Sequence, residues 1–164
     1  MRIATRVSAV VAALFGLATA AQAQSANIQA LATVYQPISF LSTRNLDFGN
    51  VFPGVAKTIG VAAATSGQFQ MGGQASGNVN LTFTLPTDLV FGANNLPIGT
   101  WTGCTSPTNT TAGCTAFTPS GSATGSAFSA LGALWIFVGA TVTPGAAQAA
   151  GNYSGTVTLT AAYF

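Results

Sequence analysis

Alternation with a period of two most limits what this chain can fold into, and it is clearest in the last fourteen residues, Gly151-Asn-Tyr-Ser-Gly-Thr-Val-Thr-Leu-Thr-Ala-Ala-Tyr-Phe164. Successive side chains of a strand point to opposite faces. Tyr153, Val157, Leu159, Ala161 and Tyr163 therefore share one face, and Ser154, Thr156, Thr158 and Thr160 share the other. A row of β-branched and aromatic residues, headed by Gly151 and free of Pro, suits a pleated surface buried on one side. With no later segment to form a hairpin, this strand is expected to find its neighbours earlier in the sequence.

The same period recurs upstream. Residues 26–34 place Ala26, Ile28, Ala30, Ala32 and Val34 on one face, with Gln29 and Thr33 on the reverse, and predict a strand. Pro37 interrupts backbone donation before residues 38–41 resume. Asn45-Leu-Asp-Phe-Gly-Asn-Val51 reads as a short strand whose Leu46, Phe48 and Val51 enter a core before the Pro53-Gly54 turn. Short strands are predicted over residues 58–65, 67–71 and 78–85, the last with Val79, Leu81, Phe83 and Leu85 on one face, and weaker ones over 89–91 and 96–102. Residues 134–142 are nearly all apolar, as in a strand covered on both sides. No stretch of residues 24–164 joins helical spacing to capping signals, although 146–150 allows one turn. Many short strands with turn chemistry between them make the chain all-β, an antiparallel sandwich or barrel.

The first residues read differently. Arg2 and Arg6 precede an apolar run over 9–18, and Ala21-Gln22-Ala23 has the small-x-small form of a signal-peptidase site. Residues 1–23 are expected to be a signal peptide cleaved after Ala23, because the apolar run is about half the ~20 residues that a membrane span needs. Residues 24–164 then form one β-sandwich domain, exported to the periplasm, the cell surface or the medium, with no membrane span. This part carries Arg44 and Lys57 against Asp47 and Asp88, so its side-chain charges cancel. Two cations cannot neutralise a run of phosphates, which argues against nucleic acid. A surface so poor in charge suits a protein covered by neighbours of its own kind, a homo-oligomer or fibre.

Little in this composition supports catalysis. There is no His, and Asp47 and Asp88 sit beside turn residues, where an Asp usually bonds nearby amides. Lys57 is the one base available to a Ser or Thr nucleophile. No metal set, phosphate loop or cofactor motif occurs, and the chain is read as no enzyme. Cys104 and Cys114, separated by nine residues rich in Thr, Pro, Asn and Gly, are expected to form a structural disulfide. Asn80, Asn109 and Asn152 fit the glycosylation pattern, but in a chain so rich in Asn, Ser and Thr that pattern arises by chance.

Taken together, Asn45-Leu-Asp-Phe-Gly-Asn-Val51, Val138-Gly-Ala-Thr-Val142 and Gly151-Asn-Tyr-Ser-Gly-Thr-Val157 resemble a domain-of-unknown-function family of secreted bacterial β-proteins. The final strand, with Gly151 fourteen residues from the end and the penultimate aromatic Tyr163, is also similar to the C-terminal motif of chaperone-usher pilins and spore coat protein U-like pilins. The pilin resemblance implies an immunoglobulin-like sandwich lacking one strand, which an N-terminal extension of the next subunit completes. It implies a fimbrial subunit, with a periplasmic chaperone and an outer-membrane usher as partners. On this reading Ile28, Ala30, Ala32 and Val34 are the donor strand, and Gly151, Tyr153, Val157, Leu159 and Tyr163 the C-terminal assembly strand. Pilins of this type commonly carry their disulfide near the start of the domain, whereas Cys104 and Cys114 lie in the middle.

Two rivals follow from the residues. Residues 26–34 can pair within their own chain and close a monomeric sandwich, one that binds carbohydrate or another surface ligand through Trp101 and Trp135, although a Trp inside Leu134-Trp-Ile-Phe-Val138 reads as core. An outer-membrane barrel would put Phe164 in the lipid-facing row, but that row continues through Ala162, Thr160, Thr158 and Thr156, which is mostly polar.

Overall fold

A computed structural model describes residues 24–164. The expected leader, residues 1–23, and its cleavage point after Ala23 lie outside the described residues. Residues 24–33 carry no helix or strand and are exposed throughout.

The remainder is an all-β unit of ten strands. These are β1 Ser39–Arg44, β2 Lys57–Ile59, β3 Gly67–Gly72, β4 Asn78–Thr84, β5 Asp88–Phe91, β6 Asn94–Ser106, β7 Thr115–Phe117, β8 Thr124–Ala127, β9 Ala133–Val142 and β10 Thr158–Tyr163. Seven belong to one sheet, in the order β1-β3-β9-β6-β5, with β2 also on β9 and β7 on β6; the other three form a second sheet ordered β10-β4-β8. Every named strand pair is antiparallel. Two such sheets around a shared core form the single immunoglobulin-like sandwich that the alternation and the resemblance implied.

The alternation decides which side chains meet. Met71 of β3 and Leu134, Ile136 and Val138 of β9 face Val79, Leu81 and Phe83 of β4 and Leu159 of β10, with Phe128 closing the cluster. Burying each such aliphatic or aromatic side chain contributes about 1.5–3 kcal/mol. On β9 the intervening residues Trp135 and Phe137 point away from this core, yet Phe137 is only 4% exposed. Its cross-strand neighbours are Gln68 and Cys104, and the Cys104–Cys114 disulfide anchors a loop on that side. Asn109 in the loop accepts a 2.6 Å hydrogen bond from Gln68 Nε2. The nearly continuous apolar run of β9 is thus covered by the second sheet on one face and by the disulfide loop on part of the other.

Some expected elements differ. Residues 58–65 yield only the three-residue β2, and a turn follows. Residues 45–51 form no strand, although Phe48 is buried. The strand expected at 96–102 is longer, running as β6 through an irregularity between Gly99 and Thr102, where Thr100 has φ 47°. Replacing Cys104 and Cys114 together by Ala is expected to lower stability by about 2–3 kcal/mol through the freed nine-residue loop. Urea unfolding of the oxidised wild type beside the double variant measures it, and a change under 0.5 kcal/mol would contradict the role given to this staple.

Candidate functional site

The two sheets are unequal in length along the strand direction. β9 and β6 run past the end of the three-stranded sheet, where Leu96 and Ile98 of β6 and Ala140 and Val142 of β9 form a second cluster with Phe48 of the segment after β1. Trp101 packs against both clusters and marks the passage from one to the other. Over the second cluster lies an open groove of about 940 Å³. Phe69, Leu96, Ile98, Trp101, Val138 and Val142 contribute to its lining, residues 43–53 form one wall and residues 148–157 the other.

Beyond Thr43 and Arg44, which belong to β1 and pair with β3, both walls are irregular chain with little main-chain pairing. In the first, the Asp47 N–H donates to the Thr65 carbonyl (3.0 Å). The Gly49 N–H donates to Asp47 Oδ1 (2.7 Å), and Lys57 Nζ donates to the Asn50 carbonyl (2.9 Å). Gly49 has φ 57°, a left-handed conformation that a residue with a Cβ adopts at a cost. Asp47 therefore acts as a turn residue, and Leu46, Phe48 and Val51 pack with the second cluster.

In the opposite wall, main-chain pairing among the described residues 151–156 is confined to Ser154, which exchanges two bonds with Val90 of β5 (2.8 and 3.1 Å). Neighbouring residues of a strand direct their N–H and C=O groups to opposite edges, so Tyr153 and Gly155 offer theirs away from β5. The phenol of Tyr153 accepts from Gln148 Nε2 (2.7 Å) and donates to the Ala149 carbonyl (2.8 Å). Gly151 and Gly155 are set by close approach: a Cβ at Gly151 would run into the Phe91 ring, and one at Gly155 would come within 2.8 Å of Leu89 Cδ2.

Of the C-terminal residues singled out from the sequence, Gly151, Tyr153 and Val157 line the groove. Leu159 lies beyond it, in the main core. Tyr163 is at the far end of β10, its ring 6.0 Å from that of Phe128 and 5.1 Å from that of Tyr35. The expected alternation holds, since Ser154, Thr156, Thr158, Thr160 and Ala162 are exposed while Tyr153, Val157, Ala161 and Tyr163 are half-buried and Leu159 is buried; Gly151 is exposed. At the other end of the sequence, Ile28 is 95% and Val34 90% exposed. Ala30 and Ala32 are exposed as well, and residues 26–34 carry no strand.

The first wall was not anticipated. Its signal was present in Leu46, Phe48 and Val51, but those spacings say only that the residues enter a core. Trp135, which read as core, is half-buried on the outer face of β9, and Trp101, also half-buried, packs on the core. Asp88 Oδ2 accepts from the neighbouring Thr87 hydroxyl (3.1 Å). Among the described residues no helix is long and apolar enough to cross a membrane.

Residues 38–163 match the domain of unknown function DUF4402, so that the matched region begins just before β1 and ends with β10. A chain from the structure of a chaperone-usher pilus, described in connection with rod uncoiling, is similar at 16% identity with a TM-score of 0.40, covering 89% of this chain and 99% of that one. No curated protein matches the chain.

Proposed function

Since the chain belongs to the DUF4402 family, and its sandwich carries a groove over the second apolar cluster between two sparsely paired segments, we propose that it is a non-enzymatic structural subunit of a pilus or surface fibre. Subunits join when residues 26–34 of one chain enter the groove of the next. The observation that carries this reading is the groove itself. An unpaired strand edge beside an apolar groove is satisfied by main-chain bonds from an added strand, whose alternate side chains fill the apolar floor. Residues 26–34 have the matching period. Ile28, Ala30, Ala32 and Val34 form the apolar row, and Ile28 and Val34 would each contribute about 1.5–3 kcal/mol on burial, the alanines less.

Several consequences follow for the life of the protein. Export through the secretory route brings the chain to the periplasm and then to the cell surface. An unfilled groove of this kind exposes an aggregation-prone edge, which a periplasmic chaperone would cover until an outer-membrane usher passes the subunit to the fibre. The role needs no cofactor; Asp47 and Lys57 bond the main chain of residues 49–50, and Asp88 accepts from the Thr87 hydroxyl.

The test is deletion of residues 24–34. Wild-type exported protein is expected to form filaments in electron micrographs and heat-sensitive ladders on gels, and the truncated chain to give neither. The truncated chain should bind a synthetic peptide of residues 24–34, which shows that its groove survives. Ladders undiminished by the deletion would end the proposal.

A further inference from the structure

The seat of Tyr163 is a feature that the groove leaves unexplained. Its hydroxyl accepts a hydrogen bond from the Gln74 N–H (2.6 Å) and donates one to the Gln36 carbonyl (2.7 Å). Gln74 in turn accepts from the Gln36 N–H through Oε1 (3.3 Å). The ring of Tyr35 meets that of Tyr163 edge-on at 5.1 Å.

The seat is built around small residues. A Cβ at Gly73 would lie 2.6 Å from both the Phe128 ring and the Tyr163 hydroxyl, and one at Gly77 would lie 3.2 Å from Tyr163 Cε1. The Gly-rich link between β3 and β4 therefore serves as a socket for one phenol.

These contacts join three places distant in sequence: the end of β10, the β3–β4 link, and residues 35–36. Residues 35–36 lie immediately C-terminal to Val34 and just before β1. No strand pairing holds them, and both are exposed, so the hydrogen bonds and ring contact to Tyr163 and Gln74 are what tie them to the sandwich.

We propose that Tyr163 is a positioning residue that clamps the root of the N-terminal extension, fixing the point at which it leaves the sandwich. For the fibre, and resting on the function proposed above, a fixed root removes a swivel between one subunit and the strand that it donates. Tyr163 then governs the stiffness of the link and leaves the docking of the donor strand to the groove. Its hydroxyl supplies both polar contacts, and its ring stays packed on Phe128 without them.

Hydrogen exchange on Tyr163→Phe tests the clamp whatever the state of assembly. The Gln74 amide, which loses its acceptor, should exchange about tenfold faster than in the wild type, and the Gln36 amide, which keeps its bond to Gln74 Oε1 while its carbonyl loses the tyrosine hydroxyl, should exchange faster as its segment is released. Those of Leu81 and Leu159, in the core, should be unchanged. Equal exchange at Gln36 and Gln74 in the two proteins would overturn the proposal. Should Tyr163→Phe also accelerate the core amides, Gln74→Ala replaces it. Gln74→Ala removes only the acceptor for the Gln36 N–H, and is expected to speed exchange at Gln36 while residue 74 stays protected; no change at Gln36 counts against the clamp.

Fibres of Tyr163→Phe should form in normal yield and appear more curved in micrographs. Fibres as straight as the wild type would refute the mechanical role. If the wild type forms no fibres, it is the function proposed above that fails, and the exchange experiment still decides the clamp.

Discussion

Val157→Asp is expected to weaken binding of a peptide of residues 24–34 by at least about 100-fold and to remove the gel ladders, while the sandwich stays folded. Val157 stands where the groove meets the main core, lining the first and packing against the second. It is half-buried in the isolated chain, so a carboxylate there can turn towards water until a donor strand arrives. An inserted strand would bury that charge without a free cation, since Arg44 on the facing wall is engaged with the Ser66 carbonyl and hydroxyl (2.9 Å each) and Lys57 Nζ with the Asn50 carbonyl (2.9 Å). Burying an unpaired carboxylate costs several kcal/mol, and each ~1.4 kcal/mol is a factor of ten in affinity. Titration of the truncated chain with fluorescent peptide measures the effect. Binding within a few-fold of the wild type would place the donor strand elsewhere.

Ile136→Ala carries the second large effect, and it acts on stability. Ile136 is fully buried at the middle of β9, paired with Phe69 of β3 and Thr105 of β6. It packs in the core that the two sheets share. Truncating such a residue removes its transfer energy and leaves a cavity, together about 2–5 kcal/mol. A domain of this size has about 5–15 kcal/mol in all, so the variant should unfold at markedly lower urea. A loss below 1 kcal/mol would mean that the two sheets do not close on one another at this point.

Comparing residues 151–164 with their structure shows what periodicity can and cannot carry. Which side chains face inwards was legible: Val157, Leu159, Ala161 and Tyr163 do so in the order that the alternation demands. The partners of that strand were not legible. Its first half pairs with β5 at Ser154 and its second half with β4, because β4 and β5 follow one another around Pro86 and present successive edges. β7 and β8 escaped notice for a related reason. Thr115–Phe117 and Thr124–Ala127 are too short and too polar to alternate visibly, and they exist because β6 and β4 offer them an edge.

The candidate site follows the same division. Ile28, Ala30, Ala32 and Val34 stand out in the sequence as an apolar row, and Gly151, Tyr153 and Val157 as part of another. That residues 43–53 face residues 148–157 across an open floor depends on contacts between segments about a hundred positions apart, which no local pattern encodes. The seat of Tyr163 is similar, since Met71-Gly-Gly-Gln-Ala-Ser-Gly77 reads as a plain loop until a phenol is found in it.

By itself, then, the amino-acid order determined the class of fold, the inward and outward faces of the main strands, and the pairing of the two cysteines. Each of these rests on side-chain alternation or short-range spacing, which local backbone geometry converts directly into structure. Tertiary structure alone decided that one sheet outruns the other and that a groove lies over the second apolar cluster between two sparsely bonded segments. The relative lengths and offsets of strands are set by which edges find partners, and that is a property of the whole assembled sandwich.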